Sequence, residues 1–69
     1  TMAEIISYIK EYDSEYLIET YPTVSDAFDF LMDTFRVAIA NGIPVVLTSN
    51  EDIISLEWLE SGNRVRISE

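Results

Sequence analysis

The chain predicts an α+β domain of two layers: an antiparallel-type sheet of four to five strands, with one main helix (24–41) packed across it. Three observations carry this. From Val24 to Ile39 the apolar residues recur at helical spacing, between clear start and stop signals. From Ile53 to Ser68 two alternating runs flank Ser61-Gly62-Asn63, the pattern of a β-hairpin. Between these segments, Val45 to Ser49 is a short β-branched run behind Pro44.

Met2 to Tyr12 (MAEIISYIKEY) supports two readings, helix or strand. As a helix it stacks Ile5, Ile9 and Tyr12 in one stripe, with Ile6 beside them. As a strand it gives Ile6, Tyr8 and Tyr12 a common face, interrupted by Lys10. Asp13-Ser14 ends either element. Glu15 to Tyr21 reads as a strand, in which Leu17, Glu19 and Tyr21 alternate with Tyr16, Ile18 and Thr20. Pro22 turns the chain, and Thr23 with Asp26 three residues on fits a capping box.

In the helix, Val24, Phe28, Leu31, Phe35, Ala38 and Ile39 form the expected core stripe, with Ala27 and Met32 flanking it. Asp26, Asp29 and Asp33 occupy the opposite face, and Phe30 and Val37 project close to them. Such an apolar pair among carboxylates fits either a contact patch rimmed by charge or packing under a neighbouring strand or a second subunit. Asn41-Gly42 stops the helix, since glycine takes the left-handed conformation cheaply, and Pro44 forbids its continuation.

The nearly continuous apolarity of Val45 to Ser49 suggests a central strand. Asn50-Glu51-Asp52 is a turn. Ile54, Leu56 and Trp58 then share one face, against Ser55 and Glu57 on the other. A two-residue turn at Gly62-Asn63 sets Trp58 opposite Ile67, with Val65 and Ile67 inward and Arg64 and Arg66 outward.

Sixty-nine residues make a single domain, 1–69, with no repeat, linker or low-complexity segment. A chain this short buries only roughly 60% of its unfolded surface, so its stability is marginal. It has no cysteine and no histidine, which excludes disulfides, zinc–thiolate sites and the commonest general base. There is no glycine-rich phosphate loop, and no base accompanies the serines and threonines. Asp26, Asp29 and Asp33 match no calcium loop. No enzyme activity, metal or cofactor is expected. No apolar run approaches the ~20 residues of a membrane span. A cytoplasmic protein, monomeric or dimeric, is the expectation, with Thr1 ahead of Met2 read as an added residue.

The net charge is −9 and it is unevenly placed. Residues 1–35 carry eight carboxylates against Lys10 alone, net −7; residues 36–69 carry five against three arginines, net −2. This disfavours direct contact with nucleic acid, whose phosphates require Lys and Arg. It favours a basic partner, since opposite fields accelerate encounter.

Laid out in this way, the chain resembles the phage-encoded uracil-DNA glycosylase inhibitors, a family of small, acidic, cysteine-free α+β proteins. Val45-Val46-Leu47-Thr48-Ser49 resembles the family's apolar strand ending in Leu-Thr-Ser. Trp58, Ser61-Gly62-Asn63 and a last strand with basic residues resemble its final hairpin. Ala3-Glu4-Ile5-Ile6 resembles its opening helix, and Glu15-Tyr16-Leu17-Ile18 a strand that begins with a key Glu and runs to a Pro before an acidic helix. The chain is shorter than the family, Glu15 stands seven residues before Pro22, and Asp26 and Asp29 are displaced along the helix from the family's acids.

The resemblance implies DNA mimicry: carboxylates stand in for phosphates in the enzyme's DNA groove, and an apolar pocket receives the side chain that the enzyme inserts into the duplex. The residues themselves supply matching parts, and the expected partner-binding residues are Glu15, Leu17, Glu19, Asp26, Asp29, Phe30, Asp33 and Val37. Successive helical aspartates lie ~4.5 and ~6 Å apart along the axis, comparable with a phosphate strand at ~3.4 Å per residue. Phe30, Val37, Met32 and Leu17 are expected to line or rim the pocket. Other targets of the same class are a restriction nuclease, a CRISPR effector or a toxin nuclease. A different class is a small structural or regulatory dimer with Phe30 and Val37 at its interface.

Overall fold

The computed structural model describes residues 2–69; the reading of Thr1 lies outside them. The elements run β1 (Ala3–Ile9), a single 3₁₀ turn at Lys10–Tyr12, β2 (Ser14–Tyr21), α1 (Val24–Ala40), β3 (Val45–Ser49), β4 (Ile54–Trp58) and β5 (Arg64–Ser68). All five strands join one antiparallel sheet in the order β2-β1-β5-β4-β3, and α1 crosses one face of it. This is the α+β two-layer domain expected.

The N-terminal segment is a strand. Ile and Tyr favour the pleat, and the choice places Ala3 and Ile5 in the centre of the sheet at zero exposure. The likeness of Ala3-Glu4-Ile5-Ile6 to an opening helix therefore does not hold. Asp13 closes the β1–β2 connection in the left-handed region (φ 49°), and its carboxylate accepts from the Tyr8 hydroxyl at 2.9 Å.

The helix starts as expected, with Thr23 Oγ1 accepting from Asp26 N at 3.1 Å. At its end Gly42 takes φ 70°, while Gly42 N and Ile43 N donate to the carbonyls of Ile39 and Ala38, the paired bonds of a Schellman closure. The buried stripe is turned from the expected one by roughly half a residue step. Ala27, Leu31 and Ala38 are buried, and Val24, Phe30 and Phe35 pack on the core cluster. Ile39, expected in the core, is 54% exposed. Phe30 accounts for the rotation: its ring lies 6.0 Å from that of Tyr21 at the end of β2, so the β2 side of the helix is drawn down.

Three further expectations are corrected. β3 is an edge strand, not a central one, because it pairs only with β4, while β5 takes the middle of the sheet by pairing with both β4 and β1. Its apolar run divides, with Val45 and Leu47 packed on the core and Val46 exposed on the other face. In the β4–β5 hairpin Leu56 faces Val65 and Glu57 faces Arg64, so Trp58 does not oppose Ile67. The loop is longer than two residues: Trp58 N donates to Asn63 O, and Gly62 N (φ 76°) donates to Trp58 O. In β2, a bulge at Ile18 breaks the predicted alternation. Leu17 pairs with Ile6 and Glu19 with Ile5, so Leu17 shares the open face while Glu19 and Tyr21 turn to the helix side.

Candidate functional site

Tyr21 ends β2, and the charges of both Glu19 and Asp26 act on its phenol. Partial desolvation beside Phe30 is the larger cause of its raised pKa; the two negative charges add to it. This links the end of β2 to the first turn of α1 as one acidic surface. Asp29 and Asp33 extend it along the outer face of the helix, and both are exposed. Asp26 is favourably placed against the positive end of the helix dipole. Asp33 is paired with Arg36 at 3.2 Å, an exposed contact between helical neighbours. Glu19, Asp26 and Asp29 have no ion pair among the described residues. No three carboxylates of the described residues are grouped to hold a metal ion.

The other predicted site residues divide among different surfaces. Glu15 lies on the open face of the sheet, bridged by Arg66 at 3.3 Å. Leu17 is 56% exposed on that same face. Val37 is 62% exposed on the outer helix face, beside the aspartates as expected. Phe30 is not: it is partly buried against the core and Tyr21, so it does not form an exposed pair with Val37. Phe30, Val37 and Leu17 therefore do not enclose a common pocket.

An apolar recess exists elsewhere. A hollow of about 280 Å³ on the helix side of the sheet is lined by Ile9, Trp58 and Val65, with Ser7, Ser61 and Asn63 among its other walls. No helix residue lines it, so it opens beside α1. Asn63 ties it together, its side-chain oxygen accepting from Lys10 N at 3.0 Å while its carbonyl accepts from Trp58 N. The signal in the sequence was the inward alternation of Trp58, but which part of that face the helix leaves uncovered depends on the crossing of α1. A second hollow, about 380 Å³, lies between Val24, the Asn50–Ile53 turn and the end of β5 and is bordered by Glu51, Asp52 and Glu69.

The charge is segregated between the two sides. The open sheet face carries Glu4, Glu15 and Glu57 against Arg64 and Arg66, net −1. Arg64 also stacks on Tyr8, 4.1 Å from the ring centre. The remaining −8 belongs to the helix side, the loops and the C-terminus. No family model matches the chain, and no curated protein or solved structure gives a significant match to it. No helix of the described residues is long and apolar enough to cross a membrane.

Proposed function

We propose that this protein is an acidic DNA mimic that inhibits a DNA-binding enzyme, with uracil-DNA glycosylase the favoured target. The observation that carries the reading is the run of uncompensated, exposed carboxylates at Glu19, Asp26 and Asp29, continued by Asp33, around the junction of β2 and α1. These groups supply negative charge on a rigid strand and helix, the arrangement that steers a cationic groove into contact. The Trp58 recess lies on the same side of the sheet and is apolar. It takes the role of receiving the enzyme's inserted side chain, in place of the pocket expected around Phe30. An enzyme that flips bases uses such a wedge, so occupying groove and wedge together blocks turnover. The setting proposed is the cytoplasm of a phage-infected bacterium.

The test is binding of the whole protein to immobilised bacterial uracil-DNA glycosylase at low and high salt, with duplex DNA as competitor. Saturable binding that duplex DNA displaces, with an association rate that falls as salt rises, supports the reading. A restriction nuclease, a CRISPR effector and a toxin nuclease run in parallel identify a different target of the same class. Retention of the protein on a duplex DNA column would overturn the mimic reading.

A further inference from the structure

The two edges of the sheet are built differently. β2 carries the bulge at Ile18 and two charged residues within the strand, Glu15 and Glu19. Bulges and charges of this kind keep a foreign strand from adding to an edge. β3 has neither. Its register against β4 is unbroken from Val45 to Ser49, and it lies within a run from Val37 to Asn50 that has no charged side chain, in a chain that is 25% charged.

The backbone of β3 is open to a partner. Leu59 N donates to Pro44 O at 3.1 Å and Asn50 N to Ile53 O at 2.9 Å, one bond at each end of the β3–β4 ladder. By antiparallel alternation the inward groups are those of Val46 and Thr48, and the N–H and C=O of Val45, Leu47 and Ser49 face outward. Val46 is 44% exposed on the open face, and Ile43 is 42% exposed at the strand's start. The edge is therefore apolar as well as unpaired.

We propose that this edge pairs with β3 of a second copy, antiparallel about a two-fold axis at Val46, making the two sheets continuous. Charge selects the occupant. Two chains of −9 repel wherever their acidic surfaces meet, whereas this uncharged edge lets them approach. Self-complementarity sets the register. About Val46, Val45 meets Leu47 of the second copy and the outward N–H and C=O groups are exchanged. The two Val46 side chains then lie against each other in the close, non-hydrogen-bonded position. The acidic surface around Tyr21 stays free, so this pairing stands apart from the inhibitor reading.

Analytical ultracentrifugation of the whole protein, from micromolar to millimolar concentration, tests it. The dimer should grow with concentration and also with salt, because screening removes the mutual repulsion. Binding to a basic enzyme weakens with salt, so the two associations are separable. Val46→Lys lowers the net charge yet sets two ammonium groups opposite each other, and should raise the dimer dissociation constant roughly tenfold with the circular dichroism unchanged. An equal mixture of Val46→Lys and Val46→Glu should restore the dimer through opposite charges. A monomer at every concentration in high salt, a wild-type dimer indifferent to Val46→Lys, or a mixture that does not reassociate would overturn the proposal.

Discussion

Arg66 on β5 reaches over β1 to hold Glu15 on β2, its Nε and Nη2 lying 3.3 and 3.4 Å from the two carboxylate oxygens. The pair changes what Glu15 offers a partner. A carboxylate already matched to a guanidinium attracts a cationic groove less than the unpaired Glu19, Asp26 and Asp29. Glu15→Gln should therefore slow association little, while Glu19→Gln, Asp26→Asn or Asp29→Asn each slow it by roughly a few-fold at low salt. Arg66→Gln should accelerate association and cost less than about 1 kcal/mol of stability, because the pair is half exposed. Stopped-flow association and urea denaturation measure the two effects.

Phe30 and Val37 separate in the same way. Phe30→Ala removes a ring packed on Tyr21 and the core, and should destabilise the fold by about 2–3 kcal/mol. Val37 is exposed, so Val37→Ala should leave stability within ~0.5 kcal/mol. If Val37→Ala weakens partner binding while its thermal melt, followed by circular dichroism, stays at the wild-type temperature, the Val37 side chain touches the partner directly.

Trp58 joins the core cluster while it lines the recess. Trp58→Ala should cost about 3 kcal/mol, the lower end for aromatic truncation, since the ring is partly exposed to the recess. Leu31→Ala, at a fully buried site, should cost a similar amount from a smaller side chain. Trp58→Phe, which keeps most of the packing, is the variant for binding, and a dissociation rate raised on a folded background would assign the recess to the interface.

The Tyr8 and Tyr21 phenols are both held above the ordinary tyrosine range. For Tyr8 the largest cause is its hydrogen bond to Asp13, followed by partial desolvation, with Arg64 opposing; for Tyr21 it is desolvation, followed by Glu19 and Asp26. A raised folded-state value means that the fold favours the neutral phenol. The contribution is complete below the unfolded value of ~10 and is lost as pH rises through the folded values. Denaturant stability should fall above pH ~10. In an absorbance titration at the phenolate band, the ionisations removed by Tyr8→Phe and by Tyr21→Phe should each lie above that pH.

Local signals in the sequence were sufficient for the helix and for the strands of the C-terminal hairpin, but not for the choice of strand over helix at Ala3–Ile9. The Thr23 cap, the Gly42 stop and the alternation around Leu56 and Val65 each act within a few residues, and each element formed where they placed it. Long-range competition decided the rest. Nothing local distinguishes Val45–Ser49 as an edge, since that is decided by β5 at the far end of the chain, which takes the centre by pairing with β1 some sixty residues earlier. The bulge at Ile18 moved Leu17 to the open face while Glu19 stays on the helix side, and no residue type announces it. The helical aspartates were legible as a surface because their spacing alone sets their face. Phe30 was not, because its burial depends on where Tyr21 ends β2.

The proposed inhibition is tested most directly by uracil excision from labelled DNA by a bacterial uracil-DNA glycosylase, with the protein added in increasing ratio. The expected result is a stoichiometric block, relieved when Glu19→Gln, Asp26→Asn and Asp29→Asn are combined in a folded variant. Full excision at a large molar excess of the protein would contradict it.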